Sequence, residues 1–162
     1  MNKKLHGYFV IDHKDKNGNV IWHDEGFNNL ADEGESAILD LFFRGGTAPT
    51  AFSLALFNDT PVDTDTVAGL TGEPATNGYA RIALARDTTD FPTLALDSGD
   101  FMVTSKKVTF TASGGAIGPV TYAVLIATIG GAAKLIAYKA LSQARTLSDG
   151  ETLDVTYKLK IA

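Results

Sequence analysis

Residues 5–25 read LHGYFVIDHKDKNGNVIWHDE, and whether this stretch is an ion site or a hairpin decides how the rest of the chain is read. Set against the calcium-loop pattern D-x-[DN]-x-[DN]-G from His13, it matches at Asp15, Asn17 and Gly18 and puts Asp24 at the twelfth place. Such a loop needs an acid first, a glutamate twelfth and a helix on either side. Here His13 stands first, and both flanks are rich in β-branched and aromatic residues. Asn17-Gly18 also has a sufficient reason of its own, since both residues tolerate positive φ and Asn-Gly is a strong hairpin signal. The stretch is read as a β-hairpin with strands over 5–13 and 19–25.

That reading places all three histidines, His6, His13 and His23, in the hairpin. If His13 and His23 met across it, they would form a zinc or copper set with Asp12 or Asp24. Trp22, Tyr8, Phe9 and Phe27 could similarly form an aromatic binding surface, or else pack the hairpin on a following helix through Phe42 and Phe43. The solvated hairpin and the packed core are the preferred readings. No metal, cofactor or catalytic residue is assigned.

Beyond the hairpin the period changes. In NNLADEGESAILDLFFRGG, Leu30, Ala37, Ile38, Leu41 and Phe42 recur at helical spacing. Acids fill the first turn, Arg44 stands in the last, and Gly45-Gly46 can end the helix. One amphipathic helix is expected over 31–44, weakened near its start by Gly34. From residue 51 the period is two, and about eight short strands separated by turns such as DSGD and LSDG are expected. The segment 58–78, NDTPVDTDTVAGLTGEPATNG, is long for a connection, so it is either a working surface loop or one held by a partner. In the last strand, Leu153, Val155, Tyr157, Leu159 and Ile161 alternate with polar residues, one face buried and the other wet. The expected architecture is one antiparallel β-sandwich domain, jelly-roll or immunoglobulin-like, over 1–162. It comprises an N-terminal hairpin (1–28), one short helix (29–45) and the main strands (51–162).

Composition narrows the function. A net charge of −5 with scattered lysines and arginines argues against nucleic-acid partners and against an anionic membrane surface. There is no cysteine, which removes thiol catalysis and cysteine-zinc sites, and the start of the chain meets charges before any export signal could form. No nucleophile elbow or phosphate loop occurs. Carboxylates are plentiful (Asp12, Asp15, Asp24 and Glu25; Asp59, Asp63 and Asp65; Asp87 and Asp90; Asp97 and Asp100). They stand at turns, where aspartate bonds its own backbone. An enzyme is not expected.

The order of elements is then the informative signal. A D-x-x-G hairpin turn leads through an asparagine-leucine step into an E-G-E helix closing in LFFRG. GYAR, KKVTFTASGGAIGPVTYAVLIAT and LIAYKALSQARTLSDGETLDVTYKLKIA follow. This arrangement resembles small structural proteins of tailed-bacteriophage virions, the capsid decoration (cement) and tail-associated components. The resemblance implies a virion protein that works by contact and carries no catalytic residues. Its first form is a capsid decoration protein, made in the host cytoplasm and bound to the major capsid protein or other virion proteins. The alternatives are a tail-fibre or baseplate piece facing a receptor, and a carbohydrate-binding module built on Trp22. The hairpin and the 58–78 loop are the expected contact regions, and a homo-oligomer is left open.

Overall fold

The computed structural model describes residues 4–161. The expectation about an export signal falls partly on residues 1–3, outside the described residues. The chain runs β1 (Leu5–Lys14), β2 (Val20–Phe27), β3 (Asn29–Leu30), α1 (Asp32–Phe43) and β4 (Ala51–Phe57). It continues through β5 (Ile82–Ala85), β6 (Thr93–Asp97), β7 (Asp100–Thr104), β8 (Val108–Thr111), β9 (Ile117–Ile129), β10 (Ala132–Leu147) and β11 (Thr152–Ile161). All pairings are antiparallel. One sheet has the order β2-β1-β11-β7-β6, with β8 also on β11; the other is β3-β10-β9-β4-β5. The two face each other as a β-sandwich, as expected.

The main core lies between the sheets. Phe9, Ile11, Phe110, Leu153, Val155 and Tyr157 come from the first sheet and meet Leu54, Leu56, Leu84, Ala123 and Leu125 from the second. A second core lies on the other face of the second sheet, where Ala55, Phe57, Val124, Ile126, Leu135 and Tyr138 are covered by Ala31 and Val67. This explains why YAVLIATI and LIAY are continuous apolar runs rather than alternating ones, because both of their faces are buried.

The hairpin forms, with a different turn. Among the residues of this turn only Gly18 has a positive φ, +86°. The Gly18 amide donates to the Asp15 carbonyl at 2.9 Å, and the Asp15 carboxylate accepts the amides of Asn17 and Asn19 at 2.8 and 2.9 Å. The aspartate-built turn relieves Asn17 of the left-handed conformation a two-residue loop would have required.

The helix also forms, and Gly45 at φ +72° follows its end. Its inner side is narrower than expected. Gly34 is buried against β10, and Ala37, Ile38 and Leu41 are half-buried, whereas Phe42 and Phe43 are exposed at 75% and 81%. Phe42 lies about 100° around the axis from Leu41, beyond the side that meets the sandwich. The hairpin therefore does not pack on the helix through Phe42 and Phe43.

The 58–78 loop is held by the chain itself. Asp59 accepts the Thr71 and Thr60 amides, the Tyr138 hydroxyl donates to Asp63 at 2.5 Å, and Arg81 grips Glu73 with two bonds of 2.7 Å. Its Val67, within a short 3-10 turn, belongs to the second core. The loop is a lid over the second sheet, and that burial accounts for its length.

In the last strand, Leu153, Val155 and Tyr157 are buried on the inner face as expected. Two residues depart from the pattern. Ile161 is 52% exposed, and Asp154 on the supposedly wet face is buried. Burial alone would raise the Asp154 carboxyl. Bonds from Lys14 at 2.7 Å, Thr109 at 2.6 Å and Lys107 at 3.0 Å outweigh that and hold it below its ordinary value.

Candidate functional site

Sheet geometry separates the histidines. His13 pairs with Trp22 and Asp12 with His23 across the hairpin, so the two histidine side chains project to opposite faces. His13 is buried in the sandwich, while the His23 side chain is half exposed, its Nδ1 2.6 Å from Asp12. Among the described residues no group of three or more histidines and acids could hold a metal ion. The calcium-template acids part as well: Asp15 is spent on its turn, and Asp24 points across to the second sheet.

There, Asp24 accepts Lys139 Nζ at 2.7 Å and the Ser142 amide at 2.9 Å, and Lys139 also donates to the Ala140 carbonyl. Both side chains are buried, so this pair ties the edge strand β2 to β10. His13 forms a second tie. Arg145 can only donate, so its bonds of 3.0 and 2.8 Å fix Nδ1 as acceptor; Nε2–H then donates to Glu151 at 3.1 Å. The same guanidinium lies 5.1 Å over the Trp22 ring. Trp22 has its face occupied from within and offers no sugar platform there. The four-residue aromatic surface does not form either. Phe9 is fully buried edge-on to Tyr157, and only Tyr8 and Phe27 meet on the outer face, ring centres 5.5 Å apart.

The His13 tie predicts a pH response. Burial, with Arg145 contributing, lowers the His13 pKa below its ordinary value although Glu151 pulls it up. The native state then keeps His13 neutral where the unfolded chain, titrating near 6.5, takes the proton. Stability from this site is fully present above pH ~6.5 and declines as pH falls from there through the folded value. His23, raised chiefly by its bond to Asp12, acts in the opposite sense, its contribution being lost as pH rises. Melting temperatures between pH 8 and 5 should show a steeper acid loss for the wild type than for His13→Gln. Parallel curves would exclude this role for His13.

The feature that sequence reasoning missed is an apolar cavity of about 400 Å3 between the sheets, beneath the helix. Ala37, Ile38 and Leu41 of α1 line one side, and Phe52, Phe91, Tyr157 and Leu159 line the others. Arg86, Asp87 and Thr88 supply the polar lining. Asp87 is occupied in accepting the amides of Thr89 and Asp90. A site for chemistry needs an acid, base or nucleophile converging on a ligand, and this lining brings none together. The wall continues outward. Val103 lines the cavity, Leu94 pairs with Val103 and Leu96 with Phe101, and Leu94, Leu96 and Phe101 are 71%, 64% and 59% exposed. No signal of period two could have revealed this overhang, because strand alternation shows that a face is apolar and not whether anything covers it.

No described helix is long and apolar enough to cross a membrane. No curated protein matches the chain. One family model does match, described as Podophage GP4 fiber I protein gp80, over residues 29–159. That span holds the helix, the whole second sheet and, apart from the N-terminal hairpin and the last two residues of β11, the first sheet. The chain therefore belongs to the podophage GP4 fiber I protein gp80 family and is a tailed-phage virion structural protein.

Proposed function

We propose that the protein is a fibre-type component of the phage tail rather than a capsid decoration protein, acting by contact with other virion proteins or a host surface and without catalysis. The observation that carries this reading is the family match, whose description names a fibre protein. It reverses the order of the two virion readings drawn from the element pattern alone. The structure supports a contact role through its exposed Leu94, Leu96, Phe101, Phe42 and Phe43, a larger set than isolated surface apolars require. The apolar cavity, without convergent polar groups, agrees with a role that needs no chemistry.

The test is location. Antibody-gold labelling of purified virions with a serum against this protein should mark fibres at the tail. Label confined to the icosahedral shell would overturn the fibre reading and restore decoration.

A further inference from the structure

A sheet edge offers a row of unpaired N–H and C=O groups, and soluble proteins blunt such edges with charges, prolines, bulges, brevity or a cover. Most free edges here are blunted. β2 carries His23, Asp24 and Glu25, and the β1–β2 pairing has a bulge at His13/Lys14. β3 has two residues, and β5 has four, with the Ala85 amide already bonded to Asp90 at 2.6 Å. β8 turns Val108 and Phe110 into the core and exposes only threonines. β6 differs. Its sequence TLALD is exposed at every residue, has no lysine, proline or bulge, and carries two of the most exposed leucines of the chain; its one charge, Asp97 at the turn end, is paired with Lys160 at 2.9 Å.

The hairpin turn sets which backbone groups are free. β6 and β7 are joined by Ser98 and Gly99, both with positive φ (53° and 92°), a two-residue loop. In such a hairpin the closing pair Asp97–Asp100 is hydrogen-bonded, and bonded pairs then alternate through Ala95–Met102. Leu94 and Leu96 therefore direct their N–H and C=O groups outward. Their side chains stand on the face that continues from Val103 and the cavity.

We propose that β6 is a self-pairing edge, through which a second copy of this chain adds its own β6 antiparallel about a two-fold axis at Ala95. The strand is complementary to itself in that register. Leu94 meets Leu96 of the copy, and Asp97 meets Thr93, so no carboxylate opposes another. The two first sheets become one continuous sheet, and the leucine-phenylalanine overhangs of both copies lie side by side on one face. The contact is isologous, the same strand serving both partners. It stands independently of whether the protein sits on the tail or the shell.

The register makes the test specific, because the wild-type chain has no cysteine. Ala95 opposite Ala95 is a non-hydrogen-bonded pair, with Cα atoms about 4.5 Å apart, within disulfide reach. Under mild air oxidation, Ala95→Cys should cross-link almost completely into dimers. Thr93→Cys should not, because the two copies of residue 93 lie roughly 14 Å apart in this register. In sedimentation the wild type should be dimeric. Leu96→Pro, which removes only an outward N–H, and Leu96→Lys should both be monomeric with unchanged circular dichroism. A monomeric wild type, a dimer unaffected by both Leu96 variants, or Thr93→Cys cross-linking as well as Ala95→Cys would each overturn the proposal. So would capture of a different virion protein through residue 95 in place of the copy.

Discussion

Lys139→Ala is expected to destabilise the fold by about 3–5 kcal/mol, because it strands the Asp24 carboxylate in the interior. For a chain of this size the melting temperature should fall by roughly 10 °C or more. Asp24 and Lys139 are both buried, and their 2.7 Å contact joins the two sheets at the hairpin side of the sandwich. In water such a pair would contribute little. Here the loss comes from leaving one charge without its partner. The double variant Asp24→Leu/Lys139→Met separates that from simple loss of attraction, since replacing both charges by apolar groups of similar size is often neutral. Its recovery should be incomplete. Asp24 also accepts the Ser142 amide, and a buried N–H left unpaired costs about 1–3 kcal/mol. Urea midpoints at unchanged slope measure all three proteins. A Lys139→Ala loss below about 1 kcal/mol, in the range of an exposed pair, would contradict the buried geometry.

Gly34→Ala is expected to destabilise, by about 1–3 kcal/mol, against a helix-propensity gain of about 1 kcal/mol for the same change. By sequence alone Gly34 is a defect near the start of the helix. In the fold it is the contact surface. A Cβ there would run into the Ile136 carbonyl oxygen and lie 3.0 Å from Ile136 Cα. Neither side can yield cheaply. The Ile136 oxygen already accepts the Ala31 amide at 3.0 Å, and Glu33 holds the Leu135 amide and Lys134 Nζ at 2.8 Å each. Moving the helix away would loosen these bonds and open the cavity roof formed by Ala37 and Ile38. Urea unfolding decides between the two signs, and a stabilised variant would show that the helix does not seat on β10 as described.

The two cases share a cause. Asp24 was visible as the twelfth residue of a calcium-like stretch, and Gly34 as an interruption in a helical pattern. Local spacing gives each residue a neighbourhood along the chain, whereas their decisive partners, Lys139 and Ile136, lie about a hundred residues away. The same holds for His13, whose partners Arg145 and Glu151 come from the far end of the sequence. The apolar cavity depends on seven separate stretches of the chain and has no local signature at all. The long 58–78 loop shows a milder form of the limit. Its length and turn chemistry were legible, but its role as the cover of a second core was not, because burial of both faces of the second sheet is a property of the layers rather than of a strand.

What the sequence by itself determined is the set of elements: the hairpin around Gly18, the helix ending before Gly45, the strands of period two and a last strand with one apolar face. Each follows from torsional preference and side-chain alternation, which act over a few residues. The element order also carried the likeness to virion proteins. Only the tertiary structure decided which apolar faces are covered and which polar groups meet. It sent His13 and His23 to opposite faces, buried Asp24 against Lys139, and left Leu94, Leu96 and Phe101 uncovered beyond the second sheet. The physical reason is that a pattern fixes the direction a side chain takes from its own backbone, while packing energy depends on what lies opposite.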